Sequence, residues 1–409
     1  MKHSILAFAL SLFTAIQCFS QVVTEADTLV TPDAFINLDS IESQMDSIAV
    51  VQESTDMDSV YMKRLASLNF QFKLTYNPLV RRYIELYTVK IREKLQVFIG
   101  LSDFYFPIMA QVLKENRLPD ELKYIAVIES ALNPRAVSRA RAVGLWQFMK
   151  GTGRENKLIV NNMVDQRRSL IESTNAACRY LRFLYNIYGD WQLVLAAYNC
   201  GPGRVNRAIH RSKGKTDFWE IYHYLPRETR GYVPEYIGAV YAFNFYREHH
   251  ITPVPTVLPL QTDTVIVDKH LHFGQVAGVV GIGMDELRSI NPQYLKDMIP
   301  ATEQKQLSLR VPTQVKPKFL AMKDSIYAYR SDFYKKEFLK KEKTPTPHKR
   351  VVTAGEGGKL LHQVQEGESL WSIAGIYKVK VTDIKVWNNL SSNKLKPGQK
   401  LIISVFSKK

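Results

Sequence analysis

The sequence predicts a multidomain chain, with a large, mainly α domain over residues 61–250 followed by two small α+β modules of βααβ form at 260–315 and 360–405. Three observations predict this. Between Tyr61 and His250 the apolar residues recur at helical spacing. Beyond a proline-rich hinge, "TPVPTVLP", the segment "QVAGVVGIGMDELRSINP" lays on "SIAGIYKVKVTDIKVWNN" without a gap. Val276, Ala277, Gly278, Ile282, Leu287 and Asn291 then match Ile373, Ala374, Gly375, Val379, Ile384 and Asn388, an internal repeat. Short β-branched runs flank both copies, "DTVIVD" and "LSLRVP" around the first, "LLHQVQ" and "KLIISV" around the second. At 409 residues the chain is also too long for one ordinary domain.

Taken in order, residues 1–20, "MKHSILAFALSLFTAIQCFS", have a basic start at Lys2 and an apolar run from Ile5 to Ile16. That is the pattern of a secretory signal peptide, cleaved near Ser20. Cys18 would suit a lipoprotein, but Gln17 stands where a small residue is expected, so lipid attachment and outer-membrane association stay open. No other segment reads as long and apolar enough to span a bilayer. Residues 21–60 are acidic and rich in Ser, Thr and Asp, a flexible segment. Four stretches then carry helical spacing: "YNPLVRRYIELYTVKIREKLQVFIG", "YFPIMAQVLKENRL", "STNAACRYLRFLYNIYG" and "DWQLVLAAYNCG". Between the repeats, residues 330–359 are basic and then rich in Pro, Thr and Gly, the composition of a linker.

Within the helical domain, "RLPDELKYIAVIES" has a marked start. Pro119 suits a first helical position, and Asp120 and Glu121 favour the positive end of the helix dipole. Asn133-Pro134 predicts an end near Leu132. At 3.6 residues per turn Leu122, Ile125, Ala126, Glu129 and Leu132 share one stripe, which sets a carboxylate on the apolar side near the helix's negative end. Desolvation and the dipole both disfavour its charge, so Glu129 is expected to hold a proton near neutral pH and be able to donate it. An ion pair with Arg135 or Arg139 is the competing expectation.

The sequence around and after this glutamate holds three polar and aromatic clusters: "ESALNPRAVSRARAVGLWQFMKGTG", "LAAYNCGPGRVNRAI" and "LPRETRGYVPEYI". With "YFP" and "LPDELKYIAVIES" upstream, their order resembles the lytic transglycosylases with a goose-lysozyme-like fold, from about Leu65 to His250. Independently, "HQVQEGESLWSIAGIYKVKVTDIKVWNNLSSNKLKPGQKLII" resembles LysM, a module for glycans containing N-acetylglucosamine, and the earlier repeat is similar to a divergent LysM-like copy. The resemblance implies a lysozyme-like catalytic domain that cleaves the β-1,4 bond between N-acetylmuramic acid and N-acetylglucosamine and leaves a 1,6-anhydro sugar. Glu129 would be its acid and then its base.

By the same resemblance Ser138 bonds a substrate acetamido group, with an ordinary turn residue as the competing reading. Gln147 faces the sugar cleft, and Gly144 allows close backbone approach. Met149 and Trp146 are as plausible in the core as at the cleft. Tyr198 helps hold the glutamate, Asn199 supports the cleft, and Tyr232 is a cleft tyrosine or a packing residue. In the C-terminal module Gly367, Glu368, Ser369 and Leu370, with Asn388 and Leu390, would shape a shallow sugar groove. The first module lacks the "GES" turn and reads as structural. Two departures stand out: Arg141 where a glycine is usual, and Lys150 in place of a proline.

Alternatives remain at this stage. A hydrolytic muramidase would need a second carboxylate, for which Asp165, Asp190 and Glu228 are available, and a non-catalytic wall-binding protein would keep the modules alone. The net charge of +16 favours anionic polymers. An export signal and the lack of any recognised motif turn the reading away from nucleic acid. Peptidoglycan glycan strands are the expected partner, in the periplasm or cell envelope, and association with the envelope membrane or with other cell-wall enzymes stays open. No cofactor is expected, and neither the histidines nor Cys178 and Cys200 show metal-ligand spacing. Those two cysteines could form a disulfide or serve as small core residues.

Overall fold

The computed structural model describes residues 55–342 apart from 72, and beyond them 353–355, 359–364, 370–377, 379, 381–392, 395–396 and 398–404. The expected signal peptide, Cys18 and the acidic segment as far as residue 54 lie outside the described residues, as do Gly367, Glu368 and Ser369. The chain divides into two compact units, Met1–Tyr334 and Lys335–Lys409.

The first unit opens with α1 (Thr55–Ser67), so the end of the acidic segment is helical; Asp58 accepts hydrogen bonds from Tyr76 and Arg81. Asn77 caps α2 (Pro78–Glu85), accepting from the amides of Leu79 and Val80 at 3.0 Å, with Pro78 just inside the helix. A single π turn, Leu86–Lys90, joins α2 to α3 (Arg92–Glu115). Contrary to the sequence reading, α3 is long and apolar enough to cross a membrane. Its Phe104, Tyr105, Met109, Val112 and Leu113 instead fill the core.

After a 3-10 turn, Asp120–Tyr124, comes α4 (Ile125–Ser130). The predicted helix is thus shorter at both ends: its first turn is 3-10, and it stops two residues before Leu132 because Ala131 and Leu132 adopt left-handed backbone (φ 51° and 61°). The remaining helices are α5 (Lys150–Glu155), α6 (Leu170–Tyr188), α7 (Trp191–Cys200), α8 (Pro202–Arg211), α9 (Phe218–Ile221) and α10 (Arg227–Phe245). They share one apolar core that includes Trp146, Phe218, Tyr236 and Tyr241. Cys178 and Cys200 are free thiols, Cys178 buried with its pKa pushed up to about 12 by desolvation.

The first small module pairs β1 (Thr262–Val267) with β4 (Leu307–Pro312) antiparallel, from Thr262 against Pro312 to Val267 against Leu307. A second short pair, β2 (Leu271–His272) and β3 (Met298–Ile299), lies between them in sequence. Its helices are α11 (Phe273–Val280) and α12 (Met284–Ile290). The module continues past 315 into α13 (Lys316–Ala321) and α14 (Lys323–Ala328), whose Phe319 and Ile326 are buried. α15 (Ser331–Glu342) follows, and the stretch read as a linker is therefore helical at its start. It is also extended near its end, in β5 (Thr353–Gly355).

In the second unit the sheet order is β5-β6-β7, with β6 (Lys359–Gln363) antiparallel to β7 (Lys400–Ser404). Its helices, α16 (Leu370–Tyr377) and α17 (Val381–Trp387), begin and end at the positions aligned with α11 and α12. The repeat also shares a clamp. The Asn291 amide donates to the Leu287 and Arg310 carbonyls and accepts from the Arg310 amide; Asn388 does the same with Ile384 and Ile402. This corrects two expected groove residues, because Asn388 is committed to its own last strand and Leu370 is buried in the module's core. Leu390 packs against the same core.

Candidate active site

Glu129 sits in the last turn of α4, recessed among the buried Ile125, Ala126, Val127 and Ser130, with part of its own surface open. The Tyr232 hydroxyl on α10 donates to its Oε1 at 2.6 Å. Burial raises the carboxyl to about 7, opposed by that hydrogen bond, which favours the charged form. The competing ion pair does not form: Arg135 donates instead to the Arg288 carbonyl at 2.8 Å, and Arg139 is exposed.

The next residue ties helix to loop. The Ser130 hydroxyl lies 3.0 Å from both the Ala126 and Leu145 carbonyls, a role the sequence reading passed over although the residue follows the glutamate directly. Residues 136–148 fold back on themselves through the bridges Val137–Val143 and Val143–Phe148. Ser138 closes the first turn, its hydroxyl accepting from the Ala142 amide at 3.0 Å, which favours the turn reading over the acetamido one. Gly144 has φ 89°, and its Cα lies so close to the Arg167 carbonyl that a Cβ would stand 1.8 Å from that oxygen. The close approach expected of Gly144 is therefore to protein backbone.

Gln147 also has a left-handed backbone (φ 45°). Its Nε2 donates to the Gly144 carbonyl at 2.9 Å, while Oε1 is buried with no hydrogen-bond partner. An acceptor in that state invites a donor from outside the protein. Trp146 belongs to the core, its indole donating to Thr174 at 3.0 Å, whereas Met149 is 47% exposed at the start of α5.

The hydrogen bond to the glutamate expected of Tyr198 is made by Tyr232. Tyr232, 5% exposed, holds the glutamate, and Tyr198 on α7 donates to the Trp146 carbonyl at 2.7 Å, fixing the loop that bears Gln147. Asn199 is exposed and accepts from Thr229, one turn before Tyr232 on α10, at 2.8 Å. Two of the three candidate second carboxylates are engaged elsewhere, Asp165 with Arg167 at 2.7 Å and Asp190 as the cap of α7, and the third, Glu228, is exposed in the first turn of α10.

A different carboxyl stands beside the site. Glu235, one turn beyond Tyr232 on the same helix face, is raised to about 8 by burial and then by the charge of Glu129; Tyr87 donates to it at 3.5 Å. The i,i+3 spacing from Tyr232 in "YVPE" was the available signal. Among the described residues no group of three or more His, Cys, Asp or Glu is placed to hold a metal ion.

Arg141 shows what its departure means. It has φ 64°, a backbone where glycine carries no Cβ penalty, and it is exposed. Relief of about 1 kcal/mol of left-handed strain is partly offset by the freedom glycine adds to the unfolded chain. Urea midpoints should therefore rank Arg141→Gly at or above the parent and Arg141→Val clearly below it; a valine as stable as glycine would contradict the assigned backbone. Lys150 opens α5, where a proline would fit equally well.

Comparison with known proteins gives three domain matches: the transglycosylase SLT domain over 106–221, the LysM-like domain of lytic transglycosylase MltD over 261–328, and the LysM domain over 362–404. The membrane-bound lytic murein transglycosylase D of Escherichia coli K12 is 31% identical over 327 residues, covering 76% of this chain and 65% of that protein. The chain thus spans just under two thirds of that relative's length. The soluble lytic murein transglycosylase of the same strain is 33% identical over 140 residues, 33% of this chain and 21% of that one. A crystal structure of the 70 kDa soluble lytic transglycosylase of Escherichia coli matches 35% of this chain and 24% of its own at 29% identity, with a TM-score of 0.31. This chain carries an SLT domain followed by an MltD-type LysM-like module and a LysM module.

Proposed function

We propose that this chain is a peptidoglycan lytic transglycosylase of the cell envelope, cleaving the bond between N-acetylmuramic acid and N-acetylglucosamine with formation of a 1,6-anhydro end. The observation that carries this reading is one recessed carboxyl, Glu129, raised to about 7 and held at 2.6 Å by a buried tyrosine. At neutral pH such a group is divided between acid and base, as a single residue serving both steps requires. As acid it protonates the bridging oxygen. As carboxylate, steadied by the Tyr232 hydroxyl, it takes the proton of the C6 hydroxyl, which closes on C1, so no water enters the product. The buried Oε1 of Gln147 accepts from a sugar N–H or O–H. Binding of glycan by the C-terminal module would raise the local substrate concentration.

Glu235 favours a second reading, hydrolysis with two carboxyl groups. Mass spectrometry of fragments released from purified sacculi separates the two: anhydro-muramyl ends support the transglycosylase, and reducing ends alone would replace it with a muramidase.

The acid must be protonated at the outset, so kcat/KM is expected to fall as pH rises through about 7. Tyr232's bond lowers that value, so Tyr232→Phe should move the falling limb to higher pH while slowing turnover by about tenfold to a hundredfold. A limb that stays in place would remove Tyr232 from the account.

A further inference from the structure

The first module does more than follow the SLT domain in sequence. Its segment between α12 and β3 runs beside the loop at 163–165: the Asp165 amide donates to the Gln293 carbonyl at 2.9 Å, the Leu295 amide to the Met163 carbonyl at 3.0 Å, and Val164 pairs with Tyr294. Side chains reinforce this contact. Ser308 donates to Glu172 at 3.1 Å, Arg135 donates to the Arg288 carbonyl, and Ile290 packs into the SLT core.

From that seam a continuous path leads to the cleft. The Asp165 carboxylate takes two bonds from Arg167, at 2.9 and 2.7 Å. The same guanidinium donates to the carbonyls of Phe148 at 3.2 Å and Arg141 at 3.4 Å, which bracket the loop bearing Gln147. Arg167's own carbonyl lies directly against Gly144. A bidentate pair this deeply buried is geometrically exacting, because guanidinium and carboxylate must remain coplanar. The module is also tied internally, away from the seam residues. Lys323 and Tyr327 bond Asp268 at 2.7 and 3.0 Å, Tyr334 stacks on His272, and Gln275 donates to carbonyls in α14 and just after it.

We infer that the first module is a brace for the cleft loop, with Asp165 and Arg167 as positioning residues that transmit its hold to Gln147. This names a further part of the site in the proposed function and rests on that reading only for its catalytic consequence.

Hydrogen exchange on the full chain, read by mass spectrometry, tests the brace without needing turnover. Leu295→Pro deletes one seam donor at an exposed side chain. It should cut protection about tenfold at both 163–168 and 141–148, leaving α3 unchanged as the control for folding. Asp165→Asn keeps the amide bond to Gln293 and should loosen 141–148 while 293–295 stays protected. Should either variant misfold, the pair Arg135→Ala with Ser308→Ala weakens the seam through side chains alone, and a several-fold loss in 141–148 is still expected. Turnover of sacculi should fall along with protection in 141–148. Loosening of 163–168 with 141–148 unmoved would overturn the brace. A parent chain with no turnover but intact coupling would sink the proposed activity and leave the brace standing.

Discussion

Glu129→Gln is expected to cut release of fragments from purified sacculi at least a thousandfold, on the order of losses at a residue that takes part in every step, while making the protein more stable above neutral pH. The second half of this result guards the first. An inactive variant that has merely unfolded proves nothing, whereas one that has lost turnover and gained stability has lost chemistry. The sign follows from linkage. In the folded chain the carboxyl is raised from 4.5 to about 7 by burial, so its contribution to stability is fully present below about 4.5 and is lost as pH rises through 7. Glutamine cannot ionise, and its amide oxygen still accepts from Tyr232. The gain should be near zero at pH 4 and approach about 3 kcal/mol at pH 8, the free-energy equivalent of a carboxyl raised from 4.5 to about 7. Glu235, raised to about 8, remains in place in the variant and loses the neighbouring charge that helps raise it, which adds in the same direction. Unfolding midpoints at the two pH values and a sacculus digestion check both halves. Parental turnover, or a stability gain equal at pH 4 and pH 8, would remove Glu129 from the centre of the site.

Much of this site could be read from the chain because its signals are local. The glutamate's burial followed from a helical stripe, and α4 delivers it even though the helix is only Ile125–Ser130. The βααβ repeat was visible because core spacing is strict: shifting either copy by one residue turns Leu287 or Ile384, both fully buried, out of its module. The errors arose where long-range contact decides. Tyr198 and Tyr232 occur in equally suggestive motifs, and only the approach of α7 and α10 determines that Tyr232 reaches the carboxyl while Tyr198 reaches the Trp146 carbonyl. Resemblance to LysM places Asn388 in the groove, but its repeat partner Asn291 makes the same three bonds to a helix carbonyl and the last strand. A polar residue shared by both copies in a core pattern is better explained by the backbone it ties together. Glu235 went unnoticed because its i,i+3 spacing from Tyr232 gains meaning only from burial beside another carboxyl, which is a property of packing.

The second large effect concerns a residue with no chemistry at all. Gly144→Ala should destabilise the chain by about 3–5 kcal/mol, from left-handed strain of about 1–2 kcal/mol and an overlap that no side chain can relieve. The added methyl would lie 1.8 Å from the Arg167 carbonyl oxygen and 2.6 Å from its carbon, both backbone atoms. Arg167 cannot retreat without breaking its two bonds to Asp165, and the loop cannot retreat without losing Gly144's amide bond to Ala136 at 3.0 Å and the Gln147 bond to the Gly144 carbonyl. For a domain of this size that corresponds to a fall in Tm of about 10 °C. The folded fraction should also turn over slowly, because the strain is released into the segment that carries Gln147. Gly189→Ala is the comparison that isolates the overlap: it too has positive φ, 63°, at the C-terminus of α6, but nothing lies within 4 Å of the added carbon. Its cost should be only about 1 kcal/mol of backbone strain. If thermal unfolding finds the two alanine variants equally mild, the close seating of the Gln147 loop on Arg167 is wrong, and the brace that depends on it loses its last link.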